Sequence, residues 1–275
     1  MLSRILSGVV LATSIILILV FGPWWSLGVV VLGVLFLALG EFEAMAHKGY
    51  GVTHFDRVVL RLAALVAITW PLLRDVLPAY DAGRALMFAF FILATGRLLR
   101  PEPIEDSMRR LSVDSLALLY LGVTFPYIFQ LRQLNDPHGG WVVVLVMAVV
   151  FGGDTGAYFA GRFLGKHKLY PKISPKKTIE GAVGGLAAGI GVGFLARAIF
   201  PGHATLTPLD CIIIGLIGAG TGVIGDLVES MMKRAWGVKD SGNLIPGHGG
   251  ALDRIDALLF AGPLCLYYLE AFVGW

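Results

Sequence analysis

Apolar runs about as long as a bilayer is thick recur along this sequence, and few folds can accommodate them. A helix needs roughly 20 residues to cross the hydrocarbon core. Candidate runs lie near residues 5–22, 25–41, 58–73, 83–96, 113–131, 140–161, 179–200, 208–229 and 256–274. Inside lipid every backbone N–H and C=O must be satisfied within the segment itself. The chain therefore reads as an all-α, polytopic integral membrane helix bundle of about nine transmembrane helices. Composition agrees, since 56% of the 275 residues are hydrophobic, 15% are charged and the mean hydropathy is +0.77, far from a soluble balance. The third and fourth runs are the weakest, because Arg61, Pro71 and Arg84 interrupt or flank them. Seven or eight spans would also fit. The first run lacks a small-x-small cleavage site after it and is read as a span, not a signal peptide.

Lys and Arg distribute unevenly over alternate loops of the nine-span arrangement. One set of loops, carrying Arg4, Lys48, Arg57, Arg97, Arg110, Lys166, Lys177, Lys233, Arg254 and their neighbours, holds 18 of the 22 cations. Only Arg74, Arg84, Arg132 and Arg197 fall on the other side. Positive charge is retained in the cytoplasm, so the N-terminus is expected to be cytoplasmic and the C-terminus outside. No linker or repeat divides the chain, and a single integral membrane domain over 1–275 is expected. Gly181, Gly185, Gly189 and Gly193 form one stripe of the seventh span, which suits close helix packing. Cys211 and Cys265 fall in apolar runs and are read as packing residues. Neither Gly189-x-Gly191-x-Gly193 nor Gly161-Arg-Phe-Leu-Gly165-Lys166 has the context of a dinucleotide or P-loop fingerprint.

Polar chemistry gathers in two stretches. Asp226, Glu229, Ser230 and Lys233 follow i, i+3, i+4, i+7 and share one helical face. A carboxylate at the bilayer centre costs about 2.5–3.5 kcal/mol, so this face needs compensation. A bound cation would supply it, and so would an internal salt bridge to Lys233 or Arg234. Asp253 and Asp256 are three apart at the start of the ninth span. Paired oxygen ligands suit Mg²⁺, which takes one or two carboxylates together with substrate phosphates; the same pair could instead cap the helix. Between them, Pro246-Gly-His248-Gly249-Gly250 could let backbone N–H groups close on phosphate, while Lys233, Arg234, Lys239 and Arg254 neutralise it or contact lipid head groups. His248 could act as acid or base or shape the loop.

The second stretch holds Asp154 in Asp-Thr-Gly-Ala-Tyr158 and then Ser174-Pro-Lys176-Lys177-Thr178-Ile-Glu180. The latter resembles a helix start with Pro175 or Thr178 near the cap, whose N–H groups and lysines could hold phosphate oxygens. A positive-inside loop with an ordinary cap is the other reading. Glu41 and Glu43, ending the second span, form a weaker third group.

These motifs resemble the phosphatidate cytidylyltransferases, also called CDP-diacylglycerol synthases. Ser230-x-x-Lys-Arg234, Lys239-Asp240 and Pro246-x-His-Gly-Gly-x-x-Asp253-Arg-x-Asp256 match the family signature, as do Gly225-Asp-x-x-Glu-Ser230 and Ser174 to Gly181. The resemblance implies transfer of CMP from CTP to phosphatidic acid, giving CDP-diacylglycerol and pyrophosphate in phospholipid synthesis. It also implies a Mg²⁺ cofactor at Asp226, Asp253 and Asp256, with a second, monovalent cation such as K⁺ as an option. Those three carboxylates and Lys233 would be catalytic. Substrate would be bound by Ser230, Arg234, Lys239, Asp240, His248, Gly249, Gly250 and Arg254, together with Asp154, Ser174, Lys176 and Lys177. The implied setting is a bacterial cytoplasmic (inner) membrane with the site facing the cytoplasm. Membrane lipids are expected partners, a homodimer is left open, and no nucleic acid is expected. A CTP-dependent lipid kinase and a transporter are the rival readings.

Overall fold

The computed structural model of the chain describes residues 13–48, 51–73, 76–99, 103–135, 137–242 and 249–275. His248, with Pro246 and Gly247, and the first residues of the run at 5–22 lie outside the described residues; the rest of that run is helical from 13 to 21. The chain is mostly helical, and among the described residues six helices are long and apolar enough to cross a membrane. The helices are α1 (Trp24–Ala46), α2 (His54–Ile68), α3 (Trp70–Leu73), α4 (Ala82–Leu98), α5 (Ile104–Ala117), α6 (Tyr127–Leu131), α7 (Gly139–Leu164), α8 (Ile179–Ile199), α9 (Pro208–Ala235) and α10 (Leu252–Tyr268). A π-helical turn at Leu118–Val123 carries α5 toward α6, so that Ile104–Leu131 forms one candidate span. The other five candidates are α1, α7, α8, α9 and α10 with its π-helical end.

The expected third and fourth spans are helical but short. α2 has 15 residues and α4 has 17, below the roughly 20 that a perpendicular crossing needs. Thr69, just before Trp70-Pro71, ends α2 where a proline two residues on disfavours continuation.

The expected helical architecture holds for most of the chain, with one addition: β1 (Lys168–Tyr170) pairs antiparallel with β2 (Ser174–Thr178) in a small hairpin, Lys168 opposite Thr178 and Tyr170 opposite Ser174. Pro175 thus lies within a strand and is not at a helix cap. Proline is tolerated at the edge of a ribbon this short, where its missing N–H breaks no ladder on the outer side. Thr178 is the N-cap of α8, its side chain accepting the Gly181 N–H at 3.1 Å. Glu180 closes the base of the hairpin by accepting the N–H of Lys166 at 3.0 Å.

α7, α8 and α9 form the tightest layer, and the glycine stripe accounts for it. A Cβ at Gly185 would come within 2.9 Å of the Gly153 carbonyl, at Gly189 within 2.7 Å of the Ala219 Cβ, and at Gly193 within 2.7 Å of the Cys211 carbonyl. α8 is therefore seated directly on the backbones of α7 and α9. Cys211 and Cys265 are both buried and unpaired.

The first half is tied together by charge. Arg97 of α4 reaches Asp56 of α2 at 2.5 Å and also Asp114 of α5. Arg110 adds a bond to Asp56 at 3.1 Å, and His47, just past α1, contacts Asp114 at 3.2 Å. All of these side chains are about nine-tenths buried. Burial alone would raise the Asp56 carboxyl, but hydrogen bonds from the Thr53 backbone and side chain, with the Arg97 charge, hold it below its ordinary value.

Candidate functional site

Three elements converge at one end of the bundle: the last turns of α9, the first turn of α10, and the hairpin leading into α8. α9 begins at a capping box, in which Thr207 accepts the Asp210 N–H and Asp210 accepts the Thr207 N–H, and Pro208 at its first position is pre-set for helix. It then runs unbroken to Ala235, so Asp226, Glu229, Ser230 and Lys233 do share a face. Helix contact brings the next carboxylate alongside: a Cβ at Gly225 would lie 2.4 Å from the Asp256 carbonyl, so α10 rests on the α9 backbone beside Asp226.

The side chains alternate in sign. Lys233 donates to Glu229 within α9 and to Asp253 of α10 at 2.6 Å. Lys177, at the end of the hairpin, sits 2.7 Å from Asp226. Ser230 donates to the other Asp226 oxygen at 3.2 Å. Glu229 is thus in an internal ion pair with Lys233, whereas Asp226 pairs with a lysine from another element that sequence spacing could not single out. Asp256 is buried and accepts the N–H of Ala257 at 2.8 Å. Among the described residues no three His, Cys, Asp or Glu side chains converge as a metal-binding group; lysines stand against Asp226, Glu229 and Asp253 instead.

Asp253 has a second task. Its other oxygen accepts the N–H of Gly250 at 2.9 Å and of Ser241 at 3.2 Å. The Ala251 and Leu252 N–H groups, each at 2.9 Å, bond to Glu41 of α1. The amides at the start of α10 are therefore taken up by carboxylates of the chain itself. Gly249 has a positive φ of 79°, and Gly250 leaves room for its neighbours, since a Cβ there would lie 2.1 Å from the Ser241 hydroxyl.

A cavity of about 630 Å³ opens beside this cluster, between α7, the hairpin, α8 and α9. Asp154, Lys176, Lys177 and Asp226 line it with Tyr158 and Arg162, while Ala157, Gly161, Ala182 and Val223 make its walls apolar. Arg162 donates to the Tyr158 hydroxyl at 2.9 Å. Charged groups at a cavity with apolar walls suit a ligand that is itself an anion joined to hydrocarbon.

Arg234 turns toward backbone carbonyls, Ile173 at 3.4 Å and Val238 at 3.1 Å. Lys239 and Asp240 are exposed in the segment after α9, Arg254 is exposed on α10, and Ser174 is half-buried in β2. Sequence reasoning passed over Arg162, treated as a topology charge, and Tyr120, whose buried hydroxyl has no hydrogen-bond partner among the described residues. Tyr120 lies in the π-helical turn, packed 6.3 Å from the Phe260 ring of α10. A hydroxyl in the middle of an apolar run was the signal for it.

Comparison with known proteins extends this picture. The chain is 38% identical over 185 residues to a phosphatidate cytidylyltransferase of Bacillus subtilis, covering 67% of this chain and 66% of the relative. It is 44% identical over 149 residues to the protein of the same name from Staphylococcus saprophyticus, covering 54% of this chain and 55% of the relative. These two matches span two thirds or less of the relatives' lengths. A phosphatidate cytidylyltransferase of Synechocystis sp. matches at 32% identity over 97% of this chain and 95% of its own. The model of the cytidylyltransferase family matches residues 2–272, which takes in both halves of the bundle and every element of the site, and the chain belongs to that family.

Proposed function

We propose that the chain transfers the cytidylyl group of CTP to phosphatidate, forming CDP-diacylglycerol and releasing pyrophosphate. The observation that carries this reading is the interleaving of Lys177 with Asp226 and of Lys233 with Glu229 and Asp253, next to a cavity whose walls are apolar. A phosphatidate oxygen forms a bond to the α-phosphorus while the α–β bridging bond breaks, its electron pair leaving with pyrophosphate. The nucleophile is already ionised, so no strong base is needed; the task is to hold two polyanions in line and stabilise the charge. Lys177 and Lys233 do this from fixed positions, each braced by a carboxylate, and Lys176 and Arg162 attract the lipid phosphate from the cavity wall. Ser230 donates to Asp226 and orients it. The apolar walls admit the acyl-bearing part of the lipid and exclude water, which strengthens each ionic contact.

Mg²⁺ is the cofactor this reading implies; among the described residues the carboxylates do not form a closed metal-binding group by themselves and would supply only part of a cage. Glu229 Oε1 is buried with no hydrogen-bond partner among the described residues, and Asp256 accepts only a backbone N–H, which leaves oxygen lone pairs beside Asp226. Asp226, Asp253 and Asp256 would hold the ion, with phosphate oxygens and water completing the shell, and K⁺ is a candidate second cation. When bound, the metal neutralises triphosphate charge and polarises the α-phosphorus.

The same reading includes nine spans, one integral domain, a cytoplasmic N-terminus and a site on the cytoplasmic face of a bacterial inner membrane. The skew of 18 of 22 cations to the loops on the site's side supports that orientation. The test uses detergent-solubilised protein with phosphatidate, Mg²⁺ and CTP labelled separately at the α- and γ-phosphates. The expected result is α-label in lipid and γ-label in pyrophosphate. Label from the γ-position on diacylglycerol would instead identify a lipid kinase, and transfer to neither would overturn the reading.

A further inference from the structure

Glu41, near the end of α1, reaches across more than 200 positions of sequence. Its Oε2 accepts the Ser241 hydroxyl at 3.0 Å and the Leu252 N–H at 2.9 Å, and its Oε1 accepts the Ala251 N–H at 2.9 Å. Those donors come from two places: Ser241, past the end of α9, and Ala251 and Leu252 at the start of α10. Asp253 joins the same two places through the Ser241 and Gly250 N–H groups. Two carboxylates from distant elements therefore tie Ser241 to the start of α10. The fit is close, because a Cβ at Gly242 or Gly250 would come within 2.6 or 2.3 Å of the Glu41 carboxylate oxygens. The neighbouring residue fixes the approach of α1: the Phe42 ring meets Trp236, at the end of α9, edge-on at 5.0 Å.

We propose that Glu41 is a positioning residue, which ties Ser241 to the start of α10 and sets the register of Asp253 and Asp256 for Mg²⁺-bound nucleotide without touching substrate. This rests on the cytidylyl-transfer reading. The chemistry requires a carboxylate. Two of its donors are N–H groups at a helix start, which carry partial positive charge and favour a charged acceptor. A glutamine presents one acceptor oxygen and one NH₂, so at least one of the three donors would face another donor. The first turn of α10 would then shift relative to α9, and Asp253 would lose part of the geometry that lets it hold Lys233, Ser241 and Gly250 together.

The test uses the full chain in detergent as wild type, Glu41→Gln and Ser241→Ala, the last removing one donor and sparing the carboxylate. Thermal unfolding is followed while Mg²⁺ and CTP are titrated with no lipid present, and steady-state rates are measured with each substrate varied. For Glu41→Gln the expected result is about a tenfold rise in the CTP and Mg²⁺ concentrations that half-stabilise the protein. Turnover should fall tenfold or more, and the half-saturating phosphatidate concentration should stay unchanged. Ser241→Ala should move the same quantities less. A wild-type response to Mg²⁺ and CTP in Glu41→Gln would overturn the inference, as would a loss that follows the ligand-free unfolding temperature alone. Wild-type protein that Mg²⁺ and CTP do not stabilise at all would overturn the cytidylyl-transfer reading, and this inference with it.

Discussion

Asp256 is the residue on which the proposed chemistry depends most directly. It is buried at the α9–α10 contact, and its only hydrogen bond among the described residues is from the N–H of Ala257. Asp256→Asn keeps shape and removes charge, so turnover should drop at least about 100-fold, the scale of losing one preorganised electrostatic group, with the unfolding temperature nearly unchanged. Near-normal turnover in well-folded protein would remove Asp256 from the site. Gly250 is a packing prediction at the same scale. Its missing Cβ makes room for Ser241 and Glu41, so Gly250→Ala should cost about 1–3 kcal/mol by overpacking, measured as a lower unfolding temperature accompanied by lost turnover. The sequence marked Gly250 through its neighbours in a Gly-rich loop and suggested phosphate. What it could not contain was Glu41, a carboxylate 209 positions earlier, because no local spacing records a contact made only on folding.

Among the elements, α8 is the most exacting. Its buried glycines let three helices meet backbone to backbone, and this was legible from the four-residue repeat alone. Gly189→Leu would drive a side chain into Ala219 and Gly215 of α9 and should destabilise the α7–α8–α9 layer by about 1–3 kcal/mol or more, read as loss of monodisperse protein in detergent. The hairpin before it is the opposite case. Ser174-Pro-Lys-Lys-Thr carries helix-start residues, and the strand pairing that overrides them depends on Lys168 to Tyr170 folding back. That pairing brings Lys177 onto Asp226. Replacing Lys176 and Lys177 together by Ala should raise the half-saturating concentration of CTP or phosphatidate while the protein stays folded, and unchanged substrate dependence would leave them as topology charges.

For the whole molecule, two ionic centres hold the bundle. In the first half Arg97 bridges Asp56 and Asp114. Arg97→Leu would take a charged partner from each of two buried carboxylates, leaving Asp56 with Arg110 and Asp114 with His47, and should cost about 3–5 kcal/mol, seen as a large fall in unfolding temperature. The Asp56 carboxyl lies below its ordinary value of 3.8, so its contribution to stability is complete above that value and disappears as pH falls through the lower folded one. A scan of unfolding temperature from neutral to strongly acidic pH should therefore be flatter for Asp56→Asn than for the wild type. By itself the sequence determined that the chain is a bundle of apolar helices, where the six candidate spans fall, which face of α9 carries charge and which family signature it bears. Hydrophobic periodicity and motif spacing are local properties that one-dimensional order retains. Tertiary structure alone decided which lysine meets which carboxylate, that Glu41 joins Ser241 to the start of α10, and that Ser174 to Thr178 is extended. Those outcomes depend on contacts between residues far apart in sequence, whose energies exist only once the helices have packed.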